Sequence, residues 1–105
     1  MTAKYFHITN GLRGMFMPDR GSTVRVFSMA ALKALLEHEA RYLEETHYGA
    51  SKRAVARLAH EAWTLTGAYP AVMPLRPRGS DTYHYGLFVA PATKQEWQDY
   101  ERETA

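Results

Sequence analysis

Two stretches between residues 29 and 65 carry apolar side chains at helical spacing, and this limits the chain to folds in which two amphipathic helices share a core. In the first stretch, Leu32, Leu35, Leu36, Ala40 and Leu43 fall on one side of a 3.6-residue repeat. Ser28 stands where an N-cap is needed, so a helix is predicted from Met29 to about His47, with Gly49 as its C-terminal stop. Ser51 caps a second helix from Lys52 to about Leu65, whose stripe is Val55, Leu58, Ala59, Ala62 and Leu65 and whose end is marked by Gly67. A connection this short makes the two helices pack together or cross sharply.

The segments around this pair read as strands. Tyr5–Thr9 is aromatic and β-branched, and Asn10-Gly11 is the dipeptide that best tolerates a tight hairpin turn. A returning strand is expected over Leu12–Met17, a turn over Pro18–Ser22 and a third strand over Thr23–Phe27. Pro70, Pro74 and Pro77 make Tyr69–Pro77 a loop or an edge strand, because proline cannot donate to a ladder. Tyr83–Ala90 is the most strand-like run, and Thr93-Lys94-Gln95-Glu96 matches a capping box opening a short last helix with Trp97 and Tyr100 on one side. The expected class is α+β. An antiparallel sheet of about four strands is packed on one face by two long helices and a short C-terminal helix.

A length of 105 residues suits one domain spanning 1–105. With no cysteine, disulfides, thiolate metal sites and cysteine nucleophiles are excluded. No apolar run approaches the roughly 18 residues of a membrane span, and the first residues lack a signal peptide's apolar stretch, so a cytoplasmic domain is expected.

Charge is nearly balanced, at a formal +2, but it is unevenly distributed. Residues 1–36 are basic through Lys4, Arg13, Arg20, Arg25 and Lys33, and residues 37–45 are acidic through Glu37, Glu39, Glu44 and Glu45. Lys52, Arg53 and Arg57 form one basic cluster, Arg76 and Arg78 another, and the C-terminus is acidic. Such a bipolar surface can steer a charged macromolecule.

Motifs for small-molecule chemistry are missing. Neither phosphate-binding glycine pattern occurs, and no cofactor is expected. His38-Glu39 and His60-Glu61 lack the second histidine four residues on, where Tyr42 and Thr64 stand, so no zinc-protease helix forms. Ser22, Ser28, Ser51 and Ser80 fall at turns and helix starts that capping explains. His7 and His84 lie on expected strands, where they could be neighbours and share acid–base work.

Two nucleic-acid patterns are partly matched. Residues 49–58, a glycine turn followed by Ser51 and the basic helix start Lys52-Arg53, resemble the turn and recognition helix of helix-turn-helix proteins. That resemblance implies DNA contact by Lys52, Arg53 and Arg57. Against it stand Glu45, where the family places a small residue, and the acidic run before the turn. His84–Val89 shares glycine, phenylalanine and valine with the stacking motif of RNA-recognition domains but lacks its leading basic residue.

Lys4–Gly14, Met17-Pro18-Asp19 and Ser51–Ala54 resemble small proteins carried by bacteriophages and prophages. The resemblance implies an accessory protein that acts stoichiometrically on a host protein or nucleoprotein complex, as inhibitors of CRISPR and other defence systems do. It brings no catalytic residues. The candidate contacts are side chains of the types enriched at interface hot spots: Arg13, Arg20, Arg25, Lys52, Arg53, Arg57, Arg76, Arg78 and Tyr85.

Overall fold

The computed structural model describes residues 2–13, 21–67 and 69–105. Its elements are β1 (Lys4–Leu12), β2 (Ser22–Val26), α1 (Met29–Glu44), β3 (His47–Tyr48), α2 (Lys52–Trp63), β4 (Ala71–Pro77), β5 (Tyr85–Ala92) and α3 (Lys94–Thr104). The strands form one antiparallel sheet in the order β2-β1-β5-β4-β3, which gives five strands where about four were expected.

The α+β class follows from where the apolar residues go. Phe6 and Ile8 of β1, Leu87 and Val89 of β5, and Met73 and Leu75 of β4 line one face of the sheet. Leu32, Leu36, Ala40 and Leu43 of α1 and Val55, Leu58, Ala59 and Ala62 of α2 cover that face. Ser28 and Ser51 accept hydrogen bonds from the backbone N–H groups of Ala31 and Ala54, at 3.1 and 3.2 Å, as N-caps should.

The N-terminal hairpin differs from expectation. β1 runs straight through Asn10-Gly11, whose partners are Leu87 and Gly86 of β5, and positive φ among the described glycines is confined to Gly49 and Gly79. A long ladder with β5, extended by the Arg13 N–H to the His84 carbonyl at 2.8 Å, outweighs the local turn preference. β1 pairs instead with β2, from Lys4 opposite Val26 to Ile8 opposite Ser22. Most of the expected returning strand and turn, residues 14–20, lies outside the described residues, as does Arg20.

Two further boundaries move. α1 stops at Glu44 instead of about His47, because His47 and Tyr48 pair with Pro77 and Arg76 as β3. The proline-bearing segment is β4, whose outer side is paired only at its last two residues, so Pro74 sits on an essentially open edge.

α3 lies on the sheet face opposite α1 and α2. Side chains alternate along a strand, so Tyr5 and His7 point away from the core that receives Phe6 and Ile8. Trp97 rests 5.8 Å from the Tyr5 ring and 4.4 Å from the Arg25 guanidinium, and the Tyr100 hydroxyl donates to Ser22 Oγ at 3.4 Å. The expected capping box is formed: Glu96 N–H donates to Thr93 Oγ1 at 3.1 Å, and Thr93 N–H donates to Glu96 Oε1 at 2.9 Å. Because α3 fully buries none of its residues, polar contacts and ring stacking hold it in place.

His7 is the central polar contact. Its Nε2 donates to Glu96 Oε2 at 2.8 Å, while Nδ1 lies 2.9 Å from Thr23 Oγ1. Desolvation raises the Glu96 pKa, but hydrogen bonds from Thr93 and His7 outweigh it, and the group sits below the ordinary carboxylate value. A carboxylate with a lowered folded-state pKa stabilises the fold above its unfolded-state pKa, and that contribution is lost as pH falls through the folded-state value. Acid titration should therefore loosen α3, read as movement of the Trp97 indole N–H resonance, and Glu96→Gln should remove the step. The side chain is 48% exposed, so the stability involved is below about 1 kcal/mol. An unchanged titration in the variant would refute the assignment.

Candidate partner-binding surface

The β3–β4 corner brings arginine and tyrosine side chains together. Gly49, at φ 98°, turns the chain out of β3 close against Pro74, and the β3 register sets Tyr48 beside Arg76. The Arg76 guanidinium carbon lies 4.6 Å from the Tyr48 ring centre and 5.7 Å from that of Tyr83, and Arg78 lies 4.5 Å from Tyr48. Each contact is within cation–π range, worth about 0.5–1 kcal/mol at an exposed site. Arg13 adds a hydrogen bond from Nη1 to the Tyr83 carbonyl at 3.4 Å.

These arginines do different work. Arg78 Nε and Nη2 both donate to the Glu44 carbonyl, at 3.2 and 2.6 Å, and so cap the negative end of the α1 dipole. Arg76 has no ion-pair partner among the described residues, and its Nε is enclosed without an acceptor. Tyr85, an expected contact, instead packs its ring on the core margin, with His47 and His84 at 5.3 and 4.8 Å. Its alternation places it with Leu75 and Leu87 on the helix-covered face. The exposed aromatic residues of this corner are Tyr48 and Tyr83, which sequence reasoning did not place among the candidate contacts because neither sits in a motif.

An open groove adjoins this corner, lined by Arg41, Glu44, Glu45, Tyr48, Gly49 and Arg78. Both signs of charge are therefore present on one surface. A smaller cleft of about 140 Å³ between α1 and α2 sets Lys52 among Glu37, Glu44 and Arg41.

The remaining candidates lie apart. Lys52, Arg53 and Arg57 are exposed on α2. Residues 49–58 do not follow a tight interhelical turn, since the connection spans residues 45–51 and contains a strand hydrogen-bonded to β4. Arg25 stacks on Trp97 and lies 5.3 Å from the Phe27 ring, at the far end of the sheet. Three strand spacings and about eight residues of β5 separate it from Arg76, roughly 30 Å. The described basic residues thus form separate groups and no continuous track.

Catalytic geometry is no better served. His7 pairs with Ala90, six residues along β5 from the position of His84, so the two imidazoles are roughly 20 Å apart. Thr23, His7 and Glu96 have the order of a nucleophilic triad with its exposure inverted: the hydroxyl belongs to a buried residue and the carboxylate is open to solvent. Substrate cannot reach that hydroxyl. Among the described residues no group of three metal-ligating side chains exists, and no helix is long and apolar enough to cross a membrane. Comparison with protein-family models, with curated proteins and with solved structures finds no match.

Proposed function

We propose that this chain acts by stoichiometric binding to a host protein or nucleoprotein complex, with the Tyr48–Arg76–Arg78–Tyr83 corner as its contact surface. In this role it is a phage- or prophage-type accessory protein, of the kind that blocks a CRISPR effector or another defence complex. The observation carrying the proposal is the placement of two arginines over one exposed tyrosine ring, with no described carboxylate paired to either. Stacking immobilises long side chains before binding, which lowers the entropic cost of an interface, and arginine and tyrosine are hot-spot types. The mixed charge of the adjoining groove favours a protein surface over a phosphate backbone.

The test is capture from host lysate by tagged protein, with mass spectrometry and an absorbance ratio for nucleic acid. A defined protein partner is expected, and the Tyr48→Ala/Arg76→Ala double variant should lose at least tenfold in affinity for it. The alternative, a DNA-binding regulator using residues 49–58, predicts bound DNA with a steep salt dependence that Lys52→Ala/Arg53→Ala/Arg57→Ala flattens. Unaltered capture by the double variant would move the contact surface elsewhere.

A further inference from the structure

We infer that Arg76 is a recognition site for a single carboxylate, an aspartate or glutamate side chain of the partner, a step that rests on the protein-binding role proposed above. Three observations lead there. First, the Arg76 guanidinium carbon lies over the Tyr48 and Tyr83 rings, at 4.6 and 5.7 Å, contacts that consume none of its N–H donors. Second, its Nε is enclosed with no acceptor, while neither Nη is enclosed and no described carboxylate is within ion-pair distance. A cation desolvated along one edge and unpaired gains more from an acceptor on its open edge than a fully hydrated one would. Third, the neighbouring arginines already spend donors on backbone carbonyls, Arg78 two on Glu44 and Arg13 one on Tyr83, whereas Arg76 spends none on any described residue.

One open fork of two Nη groups matches the two oxygens of one carboxylate. Successive phosphates would need successive free cations, and here Glu44 and Glu45 line the adjoining groove instead. The geometry therefore selects an acidic side chain over a nucleic-acid backbone. Tyr48 acts as the positioning residue that holds the fork.

The experiment follows the Arg76 side-chain resonances in the full ¹⁵N-labelled chain during titration with a capped hexaglutamate peptide. Oligothymidylate and matched sodium chloride serve as comparison titrations. A saturable shift of the Arg76 signal with the peptide is expected, together with at least fivefold weaker peptide binding by Arg76→Lys, which keeps the charge and removes the fork. Amide signals of β3 and β4 report whether that variant keeps its fold. Equal peptide binding by parent and Arg76→Lys would overturn the inference, as would a preferential response to oligothymidylate. Partner capture separates the two levels: if Arg76→Lys still captures the partner at full affinity and the double alanine variant does not, the corner binds without the carboxylate fork. If neither loses capture, the proposed contact surface itself is wrong.

Discussion

Leu36→Ala is expected to destabilise the fold by about 2–5 kcal/mol in a urea melt, whereas Leu35→Ala should cost less than about 1 kcal/mol. The two residues are adjacent and chemically identical, and only the packing separates them. Leu36 is fully enclosed between the sheet and α2, so truncation removes buried methyl groups and leaves a cavity that rigid neighbours cannot fill. Leu35 is 41% exposed on the outer flank of α1, where lost contacts are partly replaced by water. Equal effects for the two variants would mean that α1 is rotated about its axis from the orientation described.

Gly49→Ala should cost roughly 2–3 kcal/mol, more than loss of a helix-capping glycine would. Two costs add. A φ of 98° is a conformation that side-chain-bearing residues adopt only under strain, and an added Cβ would stand 2.8 Å from the Pro74 carbonyl oxygen. Relief requires the chain to withdraw from β4, which would break the β3 pairing and the Arg78 N–H to Thr46 carbonyl hydrogen bond of 2.8 Å. Faster hydrogen exchange at Arg78 should accompany the lower urea midpoint. A variant with parent-like stability and exchange would show that β3 does not depend on this turn.

Side-chain periodicity made both long helices and most of their inner faces legible, since Leu32, Leu36, Ala40, Leu43, Val55, Leu58, Ala59 and Ala62 are buried, whereas Leu35, expected on the same stripe, is exposed and Leu65 lies half-buried beyond the end of α2. Serine and threonine caps were equally readable, because a cap is satisfied within four residues. The contact surface was less so. Arg76 and Arg78 stood out as charges, but their stacking partner Tyr48 is 28 residues from Arg76 and reaches it only through strand pairing. For Tyr85 the sequence left its face of the strand open, and the register, which pairs it with Leu75, sets it half-buried at the core margin.

Taken alone, the sequence determined what short-range chemistry can determine: helix starts, amphipathic faces, the capping box at Thr93, the absence of thiol chemistry and the α+β class. Tertiary structure decided whatever depends on competition between local preference and distant partners. Asn10-Gly11 has the intrinsic tendency to turn, but a ladder of eight residue pairs with β5 holds it extended. Glu44 to Tyr48 could have continued a helix, but Arg78 and β4 take the carbonyls and strand partners that end it. Strand alternation then sends Tyr5 and His7 to the face where α3 docks, away from the core. These outcomes turn on hydrogen bonds between residues tens of positions apart, whose energies no local window contains.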